Sequence, residues 1–174
     1  MKLTALNWLM AFVFSFGSQE GGFEGWRTVD DRVMGGVSFS KVMVNQSSML
    51  WEGTMSLESN GGFASVRSPW KIGQIGGAAS VTMRVRGSKG VFSLRLATSQ
   101  AYYEPIYQVG FEVDEQEWTT LTWPLEVFET TVMGRPEGSL MKANEVNNVG
   151  RVGFMKNDGN PGEFWLEVDF IRFE

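Results

Sequence analysis

Two short stretches concentrate the residue types that could do chemistry. One is Val29-Asp30-Asp31-Arg32-Val33-Met34-Gly35-Gly36-Val37-Ser38; the other is Asn60-Gly61-Gly62-Phe63-Ala64-Ser65-Val66-Arg67. Adjacent carboxylates beside backbone carbonyls suit a hard cation such as calcium. Backbone N–H groups of a Gly-Gly pair can cradle an anion. Each stretch also has a plainer reading. The aspartates can accept backbone N–H bonds in a turn, or one can pair with Arg32 or Arg67, and the glycines can serve positive φ or close backbone approach. The first stretch lacks the alternating Asp/Asn spacing of a calcium loop. Neither matches a phosphate-binding G-x-x-x-x-G-K-S/T or G-x-G-x-x-G in a strand-to-helix setting. The structural reading is therefore preferred, and no metal or cofactor is expected. Asp30, Asp31, Met34, Gly35, Gly36, Ser38, Asn60, Gly61, Gly62, Phe63, Ser65 and Arg67 stand as candidates for binding or bracing loops.

What the chain lacks narrows the chemistry further. It has no histidine and no cysteine. The usual general base, the usual transition-metal ligand, the thiolate nucleophile and any disulfide are thereby excluded, and with them Ser-His-Asp and Cys-His catalysis. Hydrolysis by two carboxylates distant in the chain stays formally open, but no catalytic residue is assigned. Glu112, Asp114, Glu115 and Glu117 read as a solvated turn at the end of a strand. The net charge of −5 and the scattered basic residues argue against nucleic acid. Most of the seven tryptophans fall within strand patterns, whereas Trp70, Tyr102 and Tyr103 lie in loops and are candidates for exposed, carbohydrate-stacking contacts.

The elements that must position these residues are strands. Met49 to Leu57 alternates, with Met49, Trp51, Gly53, Met55 and Leu57 on one side. Asn60-Gly61 then carries hairpin chemistry, and Phe63 to Arg67 returns as a strand. Val81, Met83 and Val85 point inward in the next, Phe92, Leu94 and Leu96 in the one after Gly87-Ser88-Lys89-Gly90. In the last, Phe164, Leu166, Val168 and Phe170 oppose Trp165, Glu167 and Asp169. About ten strands result. Leu125 to Thr131 and Lys142 to Asn147 have room for one helical turn each, and no stretch keeps a helical period. Short strands with glycine-rich turns (21 glycines in 174 residues) predict an all-β, antiparallel sandwich or barrel, and the length suits one domain.

The N-terminus has two readings. Met1 to Phe16 is too short and interrupted for a membrane span. Lys2 and the apolar run after it could form a signal peptide cleaved near Gly17 or Ser18, which would export the protein. The preferred reading makes residues 1–11 an apolar leader and starts the domain, 12–174, with a strand in Ala11 to Phe16, in a cytoplasmic protein whose association with a membrane is left open.

The order of the motifs resembles the complex I intermediate-associated protein 30 family. The resemblance is carried by Trp26 to Ser38 and Gly53 to Arg67. Val85-Arg86-Gly87, Tyr107-Gln108, Trp118, Trp123-Pro124-Leu125, Val149-Gly150 and Gly162 to Ile171 add weaker support. It implies a galactose-binding-like jelly-roll β-sandwich with no enzymatic activity. It also implies an assembly-factor or chaperone role toward protein partners, as for the members that hold intermediates of respiratory NADH:ubiquinone oxidoreductase. Phe14-Ser15-Phe16 resembles the family's opening strand. The competing expectation is a carbohydrate or small-ligand module using loops at one end of the sandwich. The sequence leaves the client, the ligand and the oligomeric state open.

Overall fold

A computed structural model describes residues 11–17, 22–113 and 117–174. Thirteen strands follow in chain order. They are β1 (Phe12–Ser15), β2 (Arg27–Thr28), β3 (Phe39–Asn45), β4 (Ser48–Met55), β5 (Ala64–Arg67), β6 (Ser80–Gly87) and β7 (Gly90–Ala97). Then come β8 (Ile106–Val113), β9 (Thr119–Pro124), β10 (Glu129–Val132), β11 (Arg135–Leu140), β12 (Arg151–Lys156) and β13 (Gly162–Phe173). Every pairing is antiparallel. The first sheet runs β3-β4-β13-β6-β9, with β1 also on β13; the second runs β11-β10-β8-β7-β12-β5-β2. No helix among the described residues is long and apolar enough to cross a membrane.

Alternation explains why these two sheets face each other. Trp51 and Met49 on β4, Val81, Met83 and Val85 on β6 and Leu166 on β13 are buried from one side. Phe92, Leu94 and Leu96 on β7, Val66 on β5 and Phe154 on β12 are buried from the other. Edge-on aromatic contacts lock the layers, with Phe92 of the second sheet 6.1 Å from Trp51 and 6.4 Å from Phe164 of the first. Phe14 and Phe16, flanking the end of β1, are buried against Trp26, each ring centroid 5.5 Å from the indole.

Three local expectations change. Asn60-Gly61 does not close a hairpin, because β4 and β5 belong to different sheets. Glu58–Asn60 forms one 3-10 turn instead, with Ser59 and Asn60 at φ 55° and 57°. The left-handed tolerance of Asn is used, but to climb between sheets rather than to reverse within one. Leu57 lies beyond the end of β4 and is exposed, not inward. Phe170 is not inward either. A bulge between Val168 and Phe170 shifts the alternation, so that Ile171 and Phe173 take the buried positions. A further hairpin, not expected from the sequence, pairs β10 and β11 across Met133-Gly134 at φ 49° and 78°. Both turn residues are thus left-handed, as a tight hairpin requires, and Met is not a residue type that signals such a turn. Helix-like structure in the Leu125 to Thr131 stretch stops at Val127.

Candidate functional site

The two glycine-rich stretches come together around one carboxylate. Asp31, fully buried in the 3-10 turn Asp31–Met34, accepts the Ser38 N–H at 2.9 Å and the Gly62 N–H at 2.7 Å. It also accepts the Ser38 hydroxyl and, at 3.3 Å, the Phe63 N–H. The Asp31 N–H in turn reaches the Phe63 carbonyl at 3.2 Å. Burial alone would raise this carboxyl, yet the hydroxyl of Ser38 and the N–H groups of Gly62, Ser38 and Phe63 hold it below its ordinary value. Ser38 spends its one proton on Asp31 and accepts the Ser56 N–H at 3.0 Å. Asp30, also buried, takes the Ser40 N–H at 2.7 Å and the Ser40 hydroxyl at 2.6 Å. Neither aspartate makes an ion pair with Arg32 or Arg67. Arg32 lies over the Phe39 ring instead, 5.2 Å from its centroid.

Each Gly-Gly pair divides its labour in the same way. Gly35 and Gly62 hold φ of 90° and 130°. Gly36 and Gly61 are where backbone presses on Asp31. A Cβ on Gly36 would sit 2.4 Å from the carboxylate carbon, and one on Gly61 would sit 2.6 Å from its Oδ2. The anion cradled by the glycine loops is therefore the chain's own Asp31.

Beside this node, a groove of about 850 Å³ opens on the outer face of the second sheet. Its floor carries the outward residues of β5, β12 and β7: Ser65 and Arg67; Arg151, Gly153 and Met155; Arg95 and Ala97. Its walls are Val33-Met34, Gly61-Gly62-Phe63, the loop Ser99 to Tyr102 and the Met133-Gly134 turn. Among the sequence candidates, Met34, Gly61, Gly62, Phe63, Ser65 and Arg67 line this groove. Asp30, Asp31, Gly36 and Ser38 are buried behind it, and Gly35 and Asn60 are exposed turn residues outside it. Tyr102 also lines it, 76% exposed, with Tyr103 edge-on at 5.5 Å. Trp70 is not the exposed platform expected. It is half-buried with its indole against Gly150, where a Cβ would come within 2.5 Å, and Arg151 lies 5.4 Å over its ring.

The floor is cationic in an acidic protein. Strand register sets Arg27, Arg67, Gly153, Arg95, Gln108 and Glu129 in one row across six strands. Arg151 stands beside Gly153, one outward position along β12. None of these arginines joins an ion pair among the described residues, and no lining residue is acidic. The Nε atoms of Arg95 and Arg151 are buried without a partner, while Arg95 Nη1 finds only the Met155 sulfur at 3.1 Å. Burial and then Arg67 push Arg95 down to about 10. Burial, then Arg151 and Arg27, lower Arg67; burial, then Arg27, lowers Arg151. All remain charged at neutral pH. Sequence reading missed Arg95, Arg151 and Met133. Alternation places both arginines outward, but only the strand order brings them together.

Comparison with known proteins places this arrangement. In structure, the chain is similar to a family 11 carbohydrate-binding module of a cellulosomal cellulase of Clostridium thermocellum. The TM-score is 0.62 at 16% identity, over 87% of this chain and 89% of that one. The same module in complex with a β-1,3-1,4-mixed-linked tetrasaccharide gives 0.58 at 15% identity, covering 95% and 88%. The K2 cleaved adhesin domain of Lys-gingipain gives 0.53 at 10% identity, covering 95% and 99%. These likenesses show the fold, an antiparallel β-sandwich. No curated protein matches the chain in sequence. The sequence profile of the complex I intermediate-associated protein 30 family matches residues 14–168, which takes in both glycine loops, the groove and most of both sheets, so the chain belongs to that family.

Proposed function

We propose that this protein is a non-enzymatic assembly module that holds a partner protein in the groove of the second sheet. The partner class we infer is an assembly intermediate of respiratory NADH:ubiquinone oxidoreductase. The observation that carries the reading is the family match over residues 14–168. The site's chemistry agrees with it: the groove offers arginines, methionines and small residues, with no acid–base pair and no histidine or cysteine anywhere in the chain. The test is affinity capture from native membranes with a photo-crosslinker at Met133, at the mouth of the groove. Enrichment of subunits of the oxidoreductase is expected; recovery of none overturns the reading.

A second reading has one specific observation in its favour. A carbohydrate-binding module of similar fold is seen in complex with a β-1,3-1,4-mixed-linked tetrasaccharide. Sugar faces stack on exposed aromatic rings, and this groove offers Tyr102 and the half-buried Phe63. Binding of neutral β-glucans on a glycan array, lost in Tyr102→Ala, would favour it over the protein-partner reading.

A further inference from the structure

Three guanidinium groups converge where the second sheet has a gap in its side-chain cover. Gly153 lies between Arg67 and Arg95 in register, and a Cβ there would come within 2.5 Å of the Val66 carbonyl oxygen. Gly153 thus adds no side chain to the floor and is itself buried, with Arg67 Cγ 3.5 Å from where its Cβ would lie and Arg95 and Arg151 alongside. An arginine normally meets a carboxylate or phosphate in a planar, two-pronged contact. Here the groups shed water, repel one another and leave two Nε atoms unpartnered. Trp51 Nε1 and Arg172 Nε are also without a hydrogen-bond partner, but among the described residues only here do two such groups lie together in a groove, and a local departure from pairing rules is where function is found. An anionic occupant supplies what the free protein lacks.

The walls narrow the class of anion. Val33 and Met34 on one side and Met133 on the other are each close to 70% exposed, so a strip of apolar, flexible side chains borders the arginines. From Arg27 to Arg95 the row crosses four neighbouring strands, roughly 15 Å at about 4.8 Å per step. A single free carboxylate or phosphate does not span that row or use the methionines. An extended polypeptide does both: side chains on one face recur about every 7 Å, with intervening residues turned the other way.

We propose that the groove floor is a carboxylate-binding site for an extended acidic peptide segment of a partner protein. Arg67, Arg95 and Arg151 receive its carboxylates, and Val33, Met34 and Met133 cover its apolar side chains. This rests on the protein-partner reading above and names the chemistry of the partner.

The experiment measures anisotropy of a fluorescent peptide alternating Glu and Leu, its Lys/Leu counterpart, and an oligogalacturonate as an acidic sugar. The Glu/Leu peptide is expected to bind, to weaken steeply with added salt, and to lose about tenfold or more in affinity in Arg95→Gln and Arg67→Gln. The Lys/Leu peptide is expected not to bind. Arg84→Gln on the opposite sheet serves as the control that leaves binding unchanged, and thermal melts show each variant folded. Three outcomes overturn the proposal: no binding of the Glu/Leu peptide, equal binding by Arg95→Gln and the parent, or binding of oligogalacturonate in its place. Capture from membranes with Arg95→Gln separates the two readings. If the partner is retained, assembly proceeds through another surface and only the arginine site falls. If the peptide binds but the parent captures nothing, the oxidoreductase reading falls alone.

Discussion

The two outer faces of the sandwich treat arginine in opposite ways. On the first sheet, Arg86 Nε donates to Glu167 at 2.7 Å and Arg84 Nη1 to Asp169 at 2.8 Å. The ring of Trp118 lies beneath both, 4.7 Å from Arg86 and 4.9 Å from Arg84. Glu167, nearly fully buried, also accepts from Ser48 and from Asn45 at 2.8 Å. On the second sheet, Arg67, Arg95 and Arg151 make no ion pair among the described residues. Scarcity of acids is not the reason, since the chain has 20 acidic and 15 basic residues. On the first face the chain supplies carboxylates to Arg84 and Arg86 itself, and these charges hold strands together. The second is left electrostatically incomplete, which is how a binding surface differs from a structural one.

Removing acids tests the finished side, and the largest effect is expected there. Glu167→Ala strands Arg86, Ser48 and Asn45 across three strands. Breaking such a buried pair costs about 3 kcal/mol or more, or roughly 6–12 °C in Tm for a chain of this size. A Tm within two degrees of the parent would erase the contrast between the faces. Asp31→Asn comes next. The amide keeps one acceptor but turns an NH₂ toward donors from Ser38 and Gly62, and a loss of about 2 kcal/mol is expected. Because Asp31 ties the Met34 loop to the Phe63 loop, this variant should also weaken any ligand of the groove; unchanged binding would separate the node from the site.

Acid titration gives a smaller, graded version of the same test. Burial works against the Glu167 carboxylate, but Ser48, Arg86 and Asn45 together hold it below its ordinary value, as Asp31 is held by its own donors. A carboxyl depressed in the folded state contributes stability that is complete above its ordinary value and is lost as pH falls through the lowered one. Tm is therefore expected to be level down to about pH 4.5 and to fall below it. Glu167→Ala should flatten that fall. A slope unchanged in this variant would show that other acids carry it.

These regions were unequally legible in the sequence. The sandwich follows from alternation in strands such as Ser80 to Gly87, where Val81, Met83 and Val85 are all buried. The Asp31 node was half legible. Glycines and acids in one stretch announce a turn, and Ser38 lies in it, but the other donors to Asp31, Gly62 and Phe63, lie in the second stretch, and only folding shows that Gly36 and Gly61 close on the same carboxylate. Trp70 misled because a loop position says nothing of what backs onto it, here Gly150. The arginine row was the least legible. Arg27, Arg67, Arg95 and Arg151 come from four strands far apart in the chain, and their meeting depends on the order β7-β12-β5-β2. Strand order is a non-local outcome of loop lengths and core packing, which no window of residues contains.

The unfinished face makes a prediction opposite in sign to the others. Most substitutions of half-buried residues destabilise, and truncating an arginine on the first sheet should do so through Asp169 or Glu167. Arg95 is different: its guanidinium is desolvated, repelled by Arg67 and met only by a methionine sulfur. Gln retains much of the stem, leaves a neutral amide that is easier to bury, and removes the repulsion. Arg95→Gln is therefore expected to leave stability unchanged or raise it by up to about 1 kcal/mol, near 2–4 °C, while Arg84→Gln lowers it slightly. The gain should shrink in high salt, where repulsion between the remaining guanidiniums is screened in both proteins. If Arg95→Gln melts well below the parent, the row on the second sheet is structural like its counterpart, and the contrast between the two faces fails. If it melts at or above the parent while losing the acidic peptide, stability and binding have been separated at a single residue, as expected of a group held ready for a partner's charge.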